Sequence, residues 1–259
     1  MDWGMKNRIS RIIKPDGRTL MFAVDHGYFM GPTTGLEKLN ETIEPLLPYA
    51  DTLMLTRGAL RNYVDPAADL PIILRVSSGT SIINPMLLHE GISVSMEEAI
   101  RLNVSAVAFS IMVGAEYERD TILAFSQVID EAERYGMPTL AVTAVGRGLE
   151  RDARYLSLAT RIAGELGARI VKTYFCAGFE KVVESSPVPV VIAGGKKVPE
   201  KDALQIAYNA IQAGAAGVDM GRNIFQSEDP VAMVQAVRAI VHDNSSPAEA
   251  FELFNELKS

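Results

Sequence analysis

The sequence has few of the residues and patterns that disulfide bonds, metal sites and membrane-spanning helices require. It contains one cysteine, Cys176, among its 259 residues, so no internal disulfide can form. Its three histidines, His26, His89 and His242, lie far apart and show no spacing typical of a zinc site, so we expect no metal. No apolar run approaches the ~20 residues that cross a bilayer, and the N-terminal segment lacks the apolar core of a signal peptide. We therefore expect a cytoplasmic protein with no membrane partner.

The chain also lacks a block of positive charge. It has 25 lysine and arginine residues against 32 aspartate and glutamate residues, and its formal net charge is -7. This acidic balance argues against nucleic acid as a partner, so an anionic substrate would have to bind in a local pocket. With 48% hydrophobic residues, the chain is long and apolar enough to form a full core.

Short β-rich runs alternate with amphipathic stretches along the chain. The pattern predicts eight strands, at Thr19–Val24, Thr52–Leu55, Ile72–Val76, Ala106–Phe109, Thr139–Thr143, Ile170–Thr173, Val188–Ile192 and Gly217–Met220. It predicts helices between them, among which are Tyr117–Tyr135, Tyr155–Leu166, Glu200–Ala213 and Pro230–Val241. Helical crossovers imply parallel strands, and the chain length fits the ~250 residues of a closed barrel. We predict an α/β fold, a single (β/α)8 TIM barrel over residues 1–259 that ends in a capped helix at residues 246–257.

Lys172 closes the short apolar run that would form the sixth strand. A buried lysine at that point can attack a carbonyl group and hold it as a Schiff base, although many strand-end lysines merely extend into water. Asp25 and His26 follow the first strand and would face the same end of the barrel. They can form an acid/base pair, whereas the simpler alternative is an aspartate that caps a turn and a histidine that bonds to the backbone.

Glycine turns follow the seventh and eighth strands. Backbone N–H groups reach a phosphate closely only where no Cβ intrudes, so these two turns predict a phosphate site. The alternative is two tight turns beside a solvated arginine. The predicted phosphate-binding residues are Gly194, Gly195, Lys196, Gly221 and Arg222.

Three further arginines follow or lie within predicted strands. Arg57 and Arg147 come after the second and fifth strands, where they could hold a second anionic group or orient the substrate. Arg75 lies inside the third strand, and we interpret it as a member of an ion pair within the barrel.

Several segments resemble the class I aldolases of the DeoC/FbaB family, and the resemblance covers essentially the whole chain. The family resemblance implies a (β/α)8 barrel in which Lys172 is the Schiff-base lysine and the two glycine turns hold the substrate phosphate. It also matches Asp25 to the family's first-strand aspartate. The segments are 2–5 (DWGM), 22–29 (FAVDHGYF), 31–36 (GPTTGL), 170–174 (IVKTY), 191–197 (VIAGGKK) and 217–226 (GVDMGRNIFQ).

Within that family the chain is most similar to the thiolase-type members that degrade phosphorylated autoinducer-2. These transfer an acetyl group from 3-hydroxy-2,4-pentanedione 5-phosphate to coenzyme A, a cosubstrate, and yield dihydroxyacetone phosphate and acetyl-CoA. The resemblance further implies a homo-oligomer, often a decamer of two stacked rings.

One departure separates the chain from archaeal-type fructose bisphosphate aldolases. Those enzymes carry a proton-donating tyrosine after the fifth strand, in a Trp-x-Tyr-Pro-Arg-Gly segment, and Val145 stands at its position here. Valine cannot transfer a proton, so the departure favours the thiolase. The alternatives are a class I fructose-bisphosphate aldolase or a related deoxy-sugar-phosphate synthase, and a non-catalytic barrel that binds a sugar phosphate.

Overall fold

A computed structural model describes residues 1–84, 89–143 and 150–258 of the chain. In these ranges eight parallel strands form a closed barrel, in which each strand pairs with the next one along the chain and the last pairs with the first. The predicted (β/α)8 barrel is therefore confirmed. The strands are β1 Thr19–Ala23, β2 Thr52–Thr56, β3 Ile72–Arg75, β4 Ala106–Ile111, β5 Thr139–Thr143, β6 Ile170–Tyr174, β7 Val190–Ala193 and β8 Gly217–Met220.

The barrel closes where β1 pairs with β8, in a register that sets Thr19 opposite Gly217. Strands of a parallel barrel are covered on both faces, so they consist of nearly continuous apolar residues. A cluster of buried side chains fills the interior, and Ile12 of the N-terminal helix belongs to it. The helix therefore closes the end of the barrel at which the strands begin. The barrel members of the cluster are Met21, Ala23, Met54, Ile73, Ala106, Ala108, Leu140, Ile170 and Val191.

One helix precedes the first strand, and the helices that follow the strands cover the outside of the barrel. In the described residues they are α1 Trp3–Ile12, α2 Gly27–Met30, α3 Leu39–Ile43, α4 Arg57–Tyr63, α5 Met96–Arg101, α6 Glu118–Arg134, α7 Ala153–Leu166, α8 Phe179–Ser185, α9 Glu200–Gln212, α10 Arg222–Phe225, α11 Pro230–Asp243 and α12 Pro247–Leu257, with a 3-10 turn at Leu47–Tyr49. Among these, none is both long and apolar enough to cross a membrane.

The predicted helices are present, and their ends differ by a few residues. The helix predicted from Tyr155 begins earlier, at Ala153, because the Asp152 side chain accepts a hydrogen bond from the Tyr155 N–H and caps it. The C-terminal helix α12 begins after Ser246, which forms a reciprocal capping box with Glu249. Its buried Phe254 belongs to the core cluster that α9 and α11 also share, so this helix covers the outer layer of the barrel.

A small antiparallel pair joins Ser77–Ser78 to Gly91–Ile92 beyond the end of β3. At Gly79 a side chain would collide with the His89 carbonyl oxygen, so only glycine permits the two segments to approach this closely. The pair brings Glu90 to the end of the barrel at which the strands finish, where it is buried.

Candidate active site

A cavity of about 300 Å³ opens at the carboxyl ends of the strands. This is the end at which barrel enzymes place their chemistry. Seven of the residues that the sequence predicts for the site line this one cavity. They are Asp25, His26, Lys172, Gly194, Gly195, Gly221 and Arg222.

Lys172 lies within β6 and points into the barrel, with 8% of its surface exposed. Its Nζ lies 2.9 Å from Asp219 Oδ2 and 3.9 Å from the Met54 sulfur. Within the described residues this is the one ion pair that Lys172 makes. The lysine does not extend into water, and its amine is available to a ligand in the cavity.

Asp219 was not predicted as a site residue. It lies on β8 two residues after Gly217, whose register partner Val191 belongs to the barrel interior, so Asp219 also faces inward. It is 1% exposed, and burial raises the pKa of its carboxyl although the Lys172 charge favours ionisation. An acidic residue at an inward position of an apolar strand was the sequence signal that could have identified it.

Asp25 forms a buried ion pair with Arg75. The Arg75 guanidinium donates to Asp25 Oδ2 from Nε at 2.9 Å, and its Nη2 lies 2.8 Å from the same oxygen. Arg75 Nη1 also donates to Ser110 Oγ at 2.8 Å. Burial opposes ionisation of Asp25, but the charges of Arg75 and Lys172 outweigh it and lower its pKa to about 2. The interpretation of Arg75 as an ion-pair member inside the barrel is confirmed.

Tyr28 and Glu90 extend this polar network. The Tyr28 hydroxyl donates to Glu90 Oε1 at 2.7 Å, and the Ser77 hydroxyl donates to Glu90 Oε2 at 2.6 Å. The Arg75 guanidinium lies over the Tyr28 ring, 5.3 Å from its centre. Burial raises the pKa of Tyr28, so it remains a neutral hydrogen-bond donor. The network holds Arg75, and through it Asp25, in a fixed position.

His26 follows Asp25 and lines the same cavity. Its Nδ1 lies 4.0 Å from Asp25 Oδ1, and its ring packs edge-on against Phe225. Burial lowers the pKa of His26 to about 4, because the attraction of Asp25 is weaker than burial and the repulsion of Lys172 combined. The imidazole is therefore neutral at neutral pH.

The predicted phosphate turns lie side by side, and Asn223 joins them. The Asn223 side chain donates to the Gly194 carbonyl at 2.6 Å and accepts from the Val198 N–H at 2.9 Å. At Gly221 a Cβ would collide with the Ala23 carbonyl oxygen and lie 2.5 Å from His26 Cε1. Glycine at this position therefore permits the turn to lie against the end of β1.

The positive groups near these turns agree only in part with those predicted, because Arg222 lines the cavity and Lys196 does not. Arg222 is half-buried and lines the cavity, and its Nε has no hydrogen-bond partner among the described residues. Burial lowers its pKa. Lys196 is exposed and does not line the cavity, and its carbonyl oxygen accepts from Asn223. Arg151 does line the cavity, and its guanidinium lies 3.6 Å above the Tyr174 ring. No motif in the sequence indicated Arg151.

The predicted Arg57 does not line this cavity. Arg57 lines a neighbouring cavity of about 210 Å³, which is separated from the first by Tyr28 and Arg75, residues that line both. Thr56, Ser77 and Ser93 also line this second cavity. Arg147 lies outside the described residues, as does Val145.

The geometry of the site is therefore that of a buried amine beside a glycine-lined anion pocket. The sequence profile of the DeoC/LacD family aldolases matches residues 19–227. The chain belongs to the DeoC/LacD aldolase family.

Relatives within this aldolase family match nearly the full chain. It is 56% identical over 256 residues to the 3-hydroxy-5-phosphonooxypentane-2,4-dione thiolase of Photorhabdus laumondii, a match that covers 98% of this chain and 88% of the relative. It is 55% identical to the protein of the same name from Yersinia pestis, with the same coverage of both chains. Among solved structures, a Schiff-base-forming fructose-1,6-bisphosphate aldolase is similar with a TM-score of 0.83 and 26% identity, over 92% of this chain and 100% of that one.

Proposed function

We propose that this protein is a Schiff-base-forming thiolase that transfers the acetyl group of 3-hydroxy-2,4-pentanedione 5-phosphate to coenzyme A. The products are dihydroxyacetone phosphate and acetyl-CoA. The observation that carries the proposal is that the Lys172 amine and the glycine turns at Gly194 and Gly221 line one cavity. The names of the relatives that are 55–56% identical over 98% of the chain support the choice of substrate.

The cavity orients the substrate by its two ends. The phosphate binds at the glycine turns, where Arg222 and Arg151 supply positive charge. The ketone next to the phosphomethylene group then faces Lys172, and the acetyl group points away from the phosphate. Lys172 condenses with that ketone, and the protonated imine withdraws electrons from the adjacent carbon.

Carbon–carbon cleavage follows from this electron sink. The coenzyme A thiolate attacks the acetyl carbonyl carbon, and the resulting alkoxide collapses to acetyl-CoA. The bond between the acetyl carbon and the hydroxyl-bearing carbon breaks, and its electron pair forms an enamine on Lys172. The hydroxyl-bearing carbon then takes up one proton, which balances the proton that the coenzyme A thiol released. Water hydrolyses the imine and frees dihydroxyacetone phosphate.

Of the two residues predicted to move this proton, His26 fits the task. Asp25 has a pKa of about 2 beside Arg75, so it holds no proton at neutral pH. His26 is neutral there, and a neutral imidazole can accept the thiol proton and return it to the enamine carbon. We assign Asp25 to electrostatic positioning and His26 to proton transfer.

A second candidate function is aldol cleavage of fructose 1,6-bisphosphate. The similarity to a solved Schiff-base-forming aldolase favours it, because that enzyme shares the fold over 92% of this chain. The two reactions differ in their need for coenzyme A. We expect acetyl-CoA from the phosphorylated dione and no cleavage of fructose bisphosphate. Cleavage of fructose bisphosphate without coenzyme A would refute the thiolase assignment.

A trapping experiment tests the role of Lys172. Borohydride added with dihydroxyacetone phosphate should attach a three-carbon adduct to Lys172, which peptide mass spectrometry locates. The variant Lys172→Ala should lose both the adduct and acetyl-CoA formation. The matched control is Lys201→Ala, which removes an exposed lysine on α9 and should keep both. An adduct on another lysine would contradict the assignment.

We also propose that the enzyme is a cytoplasmic homo-oligomer that acts in the breakdown of phosphorylated autoinducer-2. Coenzyme A and sugar phosphates are metabolites of the cell interior, which supports the location. Large apolar side chains that are open to solvent in one chain, Trp3 at 78% and Ile83 at 90% exposure, support a partner copy. Light scattering coupled to size-exclusion chromatography measures the mass, and a monomer would contradict this part of the proposal.

A further inference from the structure

Asp219 is a charged residue of the active-site cavity, and it has no role in the reaction steps proposed above. It lines the cavity beside Lys172, and its Oδ2 lies 2.9 Å from the Lys172 Nζ. Neither Oδ2, which is ion-paired with Lys172, nor Oδ1 meets the geometry of a hydrogen bond with any residue that the structure describes. Buried carboxylate oxygens usually have partners, so an unoccupied one at the reacting amine calls for a function.

Schiff-base chemistry requires a proton carrier at this position. The Lys172 ammonium must lose a proton before it can attack the ketone, and the oxygen of the ketone must gain two protons before it leaves as water. Both transfers take place within a bond length or two of the amine nitrogen. A group that serves both must therefore lie within hydrogen-bond distance of that nitrogen.

We propose that Asp219 is the catalytic acid and base of Schiff-base formation and hydrolysis, an inference that rests on the proposed function of Lys172. Asp219 takes one proton from the Lys172 ammonium, and the nitrogen lone pair forms a bond to the ketone carbon. Asp219 returns this proton to the oxygen. It then removes a second proton from the nitrogen and gives it to the hydroxyl group, which leaves as water as the carbon–nitrogen double bond forms.

The proton count balances. The ammonium begins with three protons on nitrogen, and the imine retains one while water carries two. Asp219 begins and ends as a carboxylate, so it then serves as the counterion of the protonated imine. Hydrolysis runs through the same steps in reverse order, with water as the attacking group.

The other acidic groups of the cavity are less suited to this role because they have other partners. Asp25 Oδ2 is held by the Arg75 guanidinium at 2.8 and 2.9 Å. Both oxygens of Glu90 accept hydrogen bonds, from Tyr28 and Ser77. In the part of the chain that the structure describes, the ion pair of Asp219 is with the reacting amine of Lys172.

The test measures the rate at which the imine forms, without coenzyme A. The protein is mixed with dihydroxyacetone phosphate, borohydride is added at increasing times, and the Lys172 adduct is quantified. In Asp219→Asn the rate should fall by about 100-fold or more, the usual size of a lost general acid–base contribution. The remaining rate should rise with pH, because solvent must then take the lysine proton. Binding of inorganic phosphate should be unchanged.

The matched control is Asp51→Asn, which neutralises an aspartate that is similarly buried, at 3% exposure, but precedes β2 at the opposite end of the barrel. It should trap dihydroxyacetone phosphate at the natural rate. A chemical rescue provides a second test. In Asp219→Ala, added formate should restore trapping, and the uncharged formamide should not. A purely structural role predicts no rescue.

The outcomes separate this inference from the proposed function. Trapping by Asp219→Asn at the natural rate, or no rescue of Asp219→Ala by formate, overturns the inference and leaves Lys172 in place. An Asp219-dependent adduct without acetyl-CoA formation supports the inference and overturns the thiolase assignment. The absence of any adduct in the natural protein overturns both.

Discussion

Replacing Arg75 with leucine would leave Asp25 buried without the guanidinium that neutralises it. Two nitrogens of Arg75 contact Asp25 Oδ2 at 2.8 and 2.9 Å, and both side chains are almost fully buried, with 5% and 7% of their surface exposed. With 7% of its side-chain surface exposed, the carboxylate can recover little of this lost interaction from solvent. The variant should therefore be less stable than the natural protein at neutral pH, even though leucine suits an apolar interior.

The size of the loss can be worked out in two ways. The decrease of the Asp25 pKa from 3.8 to about 2 corresponds to about 2 kcal/mol of net stabilisation of the ionised form, at ~1.4 kcal/mol per pKa unit. Removal of one member of a buried ion pair typically costs about 3–5 kcal/mol, since the remaining charge is left without compensation. We expect the free energy of unfolding to fall by about 3 kcal/mol.

The pH dependence has a definite sign. In the natural protein the folded-state pKa of Asp25 lies below 3.8, so its stabilising contribution is present above that pH and is lost as the pH falls through about 2. In Arg75→Leu, we expect burial to outweigh the remaining charge of Lys172 and to raise the pKa of Asp25 above its unfolded-state value. The protonated carboxyl is then favoured in the folded state, so the stability difference between the two proteins should narrow as the pH is lowered from neutral.

Urea denaturation followed by circular dichroism, at neutral and mildly acidic pH, measures this difference. The double variant Asp25→Asn with Arg75→Leu is the control. It contains no unpaired carboxylate, so its stability difference from the natural protein should not depend on pH above about 5, where Asp25 of the natural protein is ionised in both the folded and the unfolded state. A loss below about 1 kcal/mol in Arg75→Leu, with a difference that stays constant with pH, would refute the reasoning from the buried pair.

Three further predictions concern the ligand sites. Gly221→Ala should abolish binding of inorganic phosphate, measured by calorimetry, because the new Cβ would collide with the Ala23 carbonyl oxygen; unchanged binding would contradict the position of the phosphate turn. Arg151→Ala should raise KM for the phosphorylated substrate about tenfold, the effect of losing one charged hydrogen bond, whereas the control Arg154→Ala on the exposed side of α7 should not. Arg57→Ala should leave borohydride trapping unchanged, since Arg57 lines the neighbouring cavity and not the one that contains Lys172; slower trapping would contradict this separation.

The barrel could be predicted because its signal is local. Each strand is buried on both faces, and this requirement appears in the sequence as a short apolar run with turn residues at its ends. The ends of the strands differ from the prediction where a single residue decides them. The strand predicted from Val188 begins at Val190, because Pro187 and Pro189 lack the N–H that a ladder needs. Residues at the ends of the strands could be predicted to lie close together, because the parallel strands of a barrel all finish at the same end.

The direction of individual side chains outside the strands could not be predicted in the same way. Lys196 follows two cavity-lining glycines, yet its side chain points to solvent. Arg151 reaches the cavity from the segment that precedes α7, where its guanidinium stacks on Tyr174 of β6. No sequence motif indicates the direction of the Lys196 or Arg151 side chain. The conformation of a loop depends on contacts between segments that are distant in sequence.

The two aspartates of the cavity, Asp25 and Asp219, differ in their proposed roles because they have different ion-pair partners. Asp25 precedes a histidine, and the sequence therefore indicated an acid/base pair, but folding gives it Arg75 and fixes it as an anion. Asp219 has only apolar neighbours on its own strand, and folding places it against the Lys172 amine. A carboxylate beside a permanent cation stabilises charge, whereas a carboxylate beside a titratable amine can exchange a proton with it. The assignment of proton transfer thus depends on which cation each aspartate meets, and this is a property of the strand register rather than of either local sequence.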